Sequence, residues 1–185
     1  MLSGTVPKQK QTGGHELKRI VFDEETIAQR VQALGREITA AYPDGELLVL
    51  GLLKGSFIFL SDLVRKIDRP LQVDFLVAAS YGEGTVSSGN VRLVYDPETE
   101  LEGKHILLVE DIIDTGKTLN KLVALLKQRR PKSLEICALL HKHVAEDLEL
   151  EAKFVGLDAP TLFLVGYGLD HAENFRHLPY IASLT

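Results

Sequence analysis

The stretch HILLVEDIIDTGKTLNKLVALLKQRRPKSLEICALLHK, from His105 to Lys142, decides the fold. Its first segment, HILLVED, is a short apolar run that is typical of a strand. Apolar residues at helical spacing follow in KTLNKLVALLKQRR, and Pro131 ends that pattern before a second apolar run, SLEICALLHK. A strand, a helix and a strand in this order predict one unit of a mainly parallel α/β sheet.

The rest of the chain repeats this alternation. DEETIAQRVQALGREITAAYP predicts a helix with Asp23 as N-cap, and ELLVLGLLKG is typical of a strand buried on both faces. SFIFLSDLVRKI predicts a second helix, and further strands are expected in LQVDFLVAASY, in VRLVY, near AKFVG and in TLFLVGYG. We therefore predict an α/β fold, a mainly parallel twisted sheet flanked by helices, with a small hood element and a flexible lid loop. Residues 1–19 are predicted to be a mobile leader, and residues 20–185 a single domain.

Composition excludes several classes of protein. The formal net charge of -5 offers no general basic excess for binding nucleic acid. One cysteine among 185 residues cannot form an internal disulfide, and the first residues lack the apolar core of a secretory signal. No apolar run approaches the roughly 20 residues of a membrane helix. We expect a soluble, cytoplasmic protein that acts on small molecules.

Charged residues and glycines follow several predicted strands. Ligands in open α/β sheets bind outside the carboxyl ends of strands, so these segments are expected to form one site. The segments are Lys54-Gly55, Glu110-Asp111, His141-Lys142 and residues 166–170.

The turn DTGKT, residues 114–118, is typical of an anion-binding helix N-terminus. It lacks the first glycine of the nucleoside-triphosphate loop, because Asp111 occupies that position. Backbone amides from Asp114 to Thr118 and the hydroxyls of Thr115 and Thr118 can still converge on a phosphate, which Gly116 lets approach closely.

The adjacent carboxylates restrict the ligand. Two unit charges 4 Å apart interact by roughly 4 kcal/mol at an effective dielectric of 20, so carboxylates aimed at the phosphate would cancel its binding. Glu110 and Asp111 are neighbours on a strand and are expected to face opposite ways. A sugar phosphate accompanied by Mg²⁺ fits both parts of this motif. Its phosphate suits the anion-binding turn, and an anomeric carbon that becomes cationic suits the carboxylates.

VEDIIDTGKT resembles the 5-phosphoribosyl-1-pyrophosphate (PRPP) motif of type I phosphoribosyltransferases, in the form found in hypoxanthine-guanine phosphoribosyltransferases. The resemblance runs from about Ile20 onward. It includes LLKGSFIFLSDL, SYGEGTVSSGNV, CALLHK, FVGLDAP and LFLVGYGLDHAENFRHLPYI. It implies an Mg²⁺-dependent transferase that joins hypoxanthine or guanine to PRPP and releases pyrophosphate.

The resemblance assigns the PRPP-binding residues. Glu110 and Asp111 would hold the ribose hydroxyls, directly or through Mg²⁺, and the turn Asp114, Thr115, Gly116, Lys117, Thr118 would bind the 5-phosphate. Asp114 would be the general base or proton relay at N7 of the purine. Lys54 and Gly55 would form the pyrophosphate loop, in which the Leu53-Lys54 bond is often cis in the family. Asp170, also assigned to the purine site, would bind a second Mg²⁺ that bridges the pyrophosphate. Arg176 would neutralise the same leaving group or form a local ion pair.

The purine residues and the lid follow from the same resemblance. Lys142 would donate to O6 of a 6-oxopurine, Phe163 would stack on the base or belong to the core, and the backbone of Leu164 would contact the base edge. Ser80 and Tyr81 would close over the reaction centre as part of a flexible lid. Lysine has no acceptor, so this pocket disfavours adenine, whose 6-amine is a donor.

Other interpretations stay open. A PRPP-sensing regulator that binds nucleic acid could share this fold, and a sibling transferase could use xanthine, adenine or a pyrimidine. The resemblance implies a homodimer or homotetramer, for which the helix SFIFLSDLV is a candidate interface or simply core. His141, His143, His171 and His177 lack a zinc-like spacing and are predicted to be surface residues, although the first two depart from the family pattern beside Lys142.

Overall fold

The computed structural model describes residues 16–80, 91–145 and 147–184. Its elements are β1 (Leu17–Phe22), α1 (Glu24–Ala41), β2 (Leu47–Leu53), α2 (Phe57–Val64), β3 (Gln72–Ser80), β4 (Val91–Tyr95), β5 (His105–Ile113), α3 (Lys117–Lys127), β6 (Ser133–His141), β7 (Phe154–Asp158), β8 (Leu164–Val165) and β9 (Ile181–Leu184).

Six of these strands form the main sheet, in the order β4-β3-β2-β5-β6-β7. The pairings of β2 with β3, β2 with β5, β5 with β6 and β6 with β7 are parallel, and β4 is antiparallel to β3. The predicted α/β fold is confirmed. Parallel pairing places the carboxyl ends of β2, β5 and β6 at one edge of the sheet, where the charged segments were predicted to meet.

The helices cover both faces of the main sheet, and the alternation of side chains along its strands decides which helix they contact. Leu107 and Val109 belong to the same core as α1 and α2. Ile106 and Leu108, which point the other way, pack in a second core with α3. Both faces of β5 are therefore buried, and this explains the continuous apolar run in its sequence.

Local signals place the first two helices correctly. The side chain of Asp23 accepts a hydrogen bond of 2.8 Å from the Thr26 amide, as expected of an N-cap. In α2, Phe59, Leu60 and Leu63 are buried in the core, whereas Phe57 at its start is 43% exposed. One face of the helix considered as an interface is thus core.

A second, antiparallel sheet forms the hood, in the order β1-β9-β8. Strands β1 and β9 were not predicted, and β8 is only two residues long rather than a strand of the main sheet. Leu17 pairs with Leu184, so residues 17–19, assigned to the leader, belong to a strand instead. The rest of that leader, except Glu16, lies outside the described residues. No helix in the described part of the chain is long and apolar enough to cross a bilayer.

Candidate active site

A cavity of about 270 Å³ opens at the carboxyl ends of β2 and β5. Residues 110–119, which run from the end of β5 through the turn into α3, line most of it. Leu52, Leu53 and Gly55 complete the wall from the end of β2 and the following loop. Two of the segments predicted to meet thus share one cavity.

The turn before α3 has the geometry of an anion cradle. Gly116 is the N-cap residue of α3 with a φ of 73°, a left-handed conformation that favours glycine. A Cβ at this position would come within 2.3 Å of the end of the Leu148 side chain, which would have to shift. No side chain caps this helix in the described structure, and Thr115, Lys117 and Thr118 are exposed around its positive end.

The two carboxylates at the end of β5 share this cavity with the turn. Glu110 and Asp111 both line the cavity, and Asp111 lies against the backbone of Gly55, where a Cβ would be 1.7 Å from its Oδ2. Burial raises the pKa of Glu110 well above its ordinary value, and the charge of Asp111 raises it further. Strand β5 keeps one register with β6 through this point, from Glu110 opposite Ala138 to Ile112 opposite Leu140, so the expected alternation of the two side chains stays a prediction.

The loop after β2 carries the predicted pyrophosphate residues. The peptide bond between Leu53 and Lys54 is cis. Lys54 is exposed, and its amino group lies 3.1 Å from a carboxylate oxygen of Glu173. Gly168, from the loop after β8, packs so closely on this segment that a Cβ would be 2.1 Å from the carbonyl oxygen of Gly55.

Arg176 and Asp170 lie together above this loop. The Arg176 guanidinium is 2.9 Å from Asp170 and donates a 2.8 Å hydrogen bond to the carbonyl oxygen of Gly168. The local ion pair considered for Arg176 is therefore present. Burial raises the pKa of Asp111, while the charge of Arg176 lowers it and that of Asp170 raises it, so all three groups act on one another.

Lys142 and Asp114 face each other beside the cradle. Lys142 follows the last residue of β6, and its amino group donates a 2.9 Å hydrogen bond to Asp114. The Lys142 side chain is 14% exposed and that of Asp114 is 51% exposed, so the carboxylate stays open to a ligand. The residues assigned to the purine and to the proton relay are thus direct neighbours.

The two remaining purine residues lie in the hood. The Phe163 ring is 55% exposed, so it does not belong to the core, and it makes an edge contact with His171 at a centroid distance of 5.3 Å. Leu164 is buried and pairs with Ser183 in the β8–β9 ladder.

Metal and lid assignments have different outcomes. Among the described residues, no group of three or more His, Cys, Asp or Glu side chains is arranged to hold a metal ion by itself. Ser80 is the last residue of β3, whereas Tyr81 and the rest of the predicted lid lie outside the described residues. His141 is only 7% exposed, which contradicts its predicted surface position.

Sequence reasoning missed one residue pair that supports the site. Tyr167 is buried with a φ of 51°, and its hydroxyl donates a 2.5 Å hydrogen bond to Asp62 in α2. This bond joins the loop after β8 to the helix that follows the Lys54 loop. The only local signal was the pair of glycines around Tyr167, since its partner is 105 residues away.

A mixed sheet with a helix-terminal anion cradle, two carboxylates beside it and a hood above the strand ends defines a class of enzymes that bind sugar phosphates. Residues 20–172 match the phosphoribosyl transferase domain, and the chain belongs to the phosphoribosyltransferase family. The match begins at Ile20, where the resemblance to the family was first noted.

The similar proteins narrow this assignment. The chain is 45% identical over 170 residues to hypoxanthine-guanine phosphoribosyltransferase of Bacillus subtilis, covering 92% of this chain and 94% of that protein. It is 47% identical over 171 residues to the protein of the same name from Dictyostelium discoideum, covering 90% and 95%. A crystal structure of a hypoxanthine phosphoribosyltransferase from Staphylococcus aureus superposes with a TM-score of 0.87 at 43% identity, covering 91% and 92%. The resemblance to hypoxanthine-guanine phosphoribosyltransferases is confirmed.

Proposed function

We propose that the chain catalyses a purine salvage reaction, the Mg²⁺-dependent transfer of the phosphoribosyl group of PRPP to hypoxanthine or guanine. The bond from C1 to the pyrophosphate oxygen breaks, the bond from C1 to N9 forms, and the purine loses a proton. The products are a nucleoside monophosphate and pyrophosphate. The pairing of Lys142 with Asp114 beside the anion cradle carries this proposal, together with family membership.

The cradle accounts for the phosphate end of PRPP. The first turn of α3 presents backbone amides and about half a positive charge, and the Thr115 and Thr118 hydroxyls add donors at the same place. Lys54 and Arg176 are the cations on the opposite side, next to the loop that packs on Gly55. Their present partners, Glu173 and Asp170, are exchanged for phosphate oxygens when pyrophosphate binds.

The Lys142–Asp114 pair accounts for the choice of base. Lys142 can donate to the 6-oxygen of hypoxanthine or guanine but has no acceptor for the amine of adenine. Asp114 can accept the proton that the purine loses and stabilise a cationic ribose carbon. Phe163 offers an exposed aromatic face for stacking, which does not discriminate among purines.

The residues around the cavity fit Mg²⁺. Glu110, Asp111 and Asp170 offer only oxygen ligands, and Mg²⁺ prefers few carboxylates together with water and substrate phosphates rather than a complete protein cage. A cation would also lower the electrostatic cost of keeping Glu110 and Asp111 together, which now raises the pKa of Glu110. When bound, Mg²⁺ neutralises charge on the leaving pyrophosphate, while the carboxylates orient the ribose.

Assembly and location are part of the proposal. We expect a homodimer or homotetramer in the cytoplasm, with PRPP and a 6-oxopurine as the only partners in the reaction. Phe57, Val73 and Phe75 are each at least 36% exposed, and they provide apolar surface for a second copy. Light scattering coupled to size-exclusion chromatography measures the assembly directly, and a monomeric mass contradicts this part.

The test is a steady-state assay with PRPP and Mg²⁺ against hypoxanthine, guanine, xanthine and adenine, with a magnesium-free control. We expect nucleotide formation with the first two bases only, and none without Mg²⁺. Turnover of adenine in preference to hypoxanthine would contradict the role of Lys142. PRPP binding without turnover of any base would favour a PRPP sensor instead.

A further inference from the structure

Two histidines flank Lys142 and contact each other. The ring centroids of His141 and His143 lie 4.0 Å apart, although Lys142 separates the two residues in the chain. Nε2 of His143 donates a hydrogen bond of 2.6 Å to Asp158 at the end of β7. Asp158 is also the residue paired with His141 in the β6–β7 ladder. We call His141, His143 and Asp158 the histidine clip.

The backbone at His143 needs such support. Its φ is 53°, a left-handed conformation that is unfavourable for a residue with a side chain. His143 comes directly after Lys142, just beyond the end of β6. The backbone bends at His143, and the contacts of its ring lie at the bend that follows Lys142.

Lys142 is held from the other side as well. Its amide donates a 3.1 Å hydrogen bond to the carbonyl oxygen of Ile113, and its amino group reaches Asp114. The long lysine side chain loses rotamer freedom when it is held in one direction, so a fixed backbone reduces the cost of each binding event. The clip lies on the side of Lys142 away from β5.

The charges around the clip favour an uncharged His141. Burial lowers the pKa of His141, and the neighbouring His143 lowers it further, while Glu151 and Asp158 oppose this effect. An uncharged buried ring can pack closely against His143, whose own hydrogen bond goes outward to Asp158. The clip therefore holds at neutral pH without repulsion between its rings.

We propose that His143 is a positioning residue for Lys142, acting through its ring contact with His141 and its hydrogen bond to Asp158. It does not touch the substrate. It directs the amino group of Lys142 towards Asp114 and the 6-oxygen of the base. The consequence for catalysis rests on the proposed function, whereas the orientation of Lys142 can be measured without it.

The kinetic test uses His143→Ala, His143→Gly and Asp158→Ala. We expect each variant to raise KM for hypoxanthine at least about fivefold while KM for PRPP changes by less than about twofold. His143→Gly removes the ring but relieves the unfavourable φ, so a wild-type KM in that variant would show that only the backbone matters and would overturn the proposal. Asp44→Ala is the matched control, because Asp44 is as exposed as Asp158, at 81% and 82%, and pairs with Lys132.

A second measurement needs no turnover. Acetylation of the wild-type protein by an amine-reactive ester, followed by mass spectrometry, gives the modification rate of Lys142 relative to exposed Lys117 in the same sample. We expect the relative rate at Lys142 to rise at least about threefold in His143→Ala and Asp158→Ala, because the amino group leaves Asp114, and to stay unchanged in Asp44→Ala.

The two proposals fail in different ways. Unchanged Lys142 acetylation in both clip variants, with normal hypoxanthine turnover by the wild type, overturns the clip alone. Absence of wild-type turnover overturns the proposed function, and the acetylation rates still decide whether His143 positions Lys142.

Discussion

The amino group of Lys142 lies 2.9 Å from Asp114 across 28 residues of sequence, so the cation and the carboxylate of the site neutralise each other before any ligand binds. In the proposed reaction, an entering base takes the lysine donor for its 6-oxygen and the carboxylate for its proton. Both partners exchange one polar contact for another. Neither group has to be left without a hydrogen bond when the base binds.

Asp114→Asn should lower kcat at least about tenfold, because the amide cannot accept the proton that the purine loses. The substitution keeps the size of the side chain and an oxygen that can face Lys142. Single-turnover kinetics with saturating PRPP and hypoxanthine measure the effect on chemistry. A kcat equal to that of the wild type would rule out Asp114 as the proton acceptor.

Lys142→Ala should raise KM for hypoxanthine at least about tenfold with a smaller effect on KM for PRPP, since it removes the donor to the 6-oxygen. Selection against adenine should weaken in the same variant. Lys132→Ala serves as a control at the opposite end of the sheet, where Lys132 pairs with Asp44. Equal damage to both substrates would contradict a role in base recognition.

Glu110→Gln should stabilise the metal-free protein at neutral pH, raising Tm by about 2 °C or more. Burial and Asp111 raise the pKa of Glu110 above its ordinary value near 4.5, so the folded state favours the protonated carboxyl. That contribution is complete below the ordinary pKa and is lost as the pH rises. The Tm difference between variant and wild type should therefore grow from pH 4.5 towards neutrality, as calorimetry with a chelator present can show. A difference that stays constant over this range would show that the fold does not shift the ionisation of this carboxyl.

Gly168→Ala should raise KM for PRPP at least about fivefold, because the added Cβ would be 2.1 Å from the carbonyl oxygen of Gly55 and must displace the Lys54 loop. Gly103→Ala is the matched control. Gly103 also has a positive φ, 72° against 103° at Gly168, but its Cβ would meet nothing within 4 Å. The control should therefore lose only about 1 to 2 kcal/mol of stability from its backbone conformation. If both variants kept the wild-type KM, the close approach of the two loops would have no role in PRPP binding.

Tyr167→Phe should lower the free energy of unfolding by about 1.5 to 3 kcal/mol, since it leaves the Asp62 carboxylate without its buried partner. Tyr95 is 41% exposed, and Tyr95→Phe should change stability by less than about 0.5 kcal/mol. Urea denaturation of both variants tests the comparison. If the two variants had the same free energy of unfolding, water would replace the Tyr167 hydroxyl at Asp62 at no cost in stability.

Signals confined to a short stretch of sequence predicted most of the fold. The spacing of Ile27, Val31, Leu34 and Ile38 predicted α1, and all four are buried. Strands β1 and β9 were missed because they pair with partners that are distant in the sequence or too short to predict: β1 pairs with β9, with Leu17 opposite Leu184, and β9 also pairs with the two-residue β8. No local pattern in either segment indicates a pairing across almost the whole chain.

The candidate site was predictable to the extent that it lies at strand ends. The cradle of residues 114–118 and the end of β6 could be located from the sequence, but their contacts could not. The Lys142–Asp114 and Tyr167–Asp62 bonds depend on how separate loops approach in space. The burial that raises the pKa of Glu110 depends on how the whole sheet packs, which residue alternation does not predict.

The contact between Gly168 and the carbonyl oxygen of Gly55 also has an evolutionary consequence. A residue larger than glycine fits at position 168 only in a relative whose backbone at position 55 lies further away. The two positions, 113 residues apart in the chain, therefore evolve as a pair: among descendants of this protein, a replacement at one should accompany a changed backbone at the other.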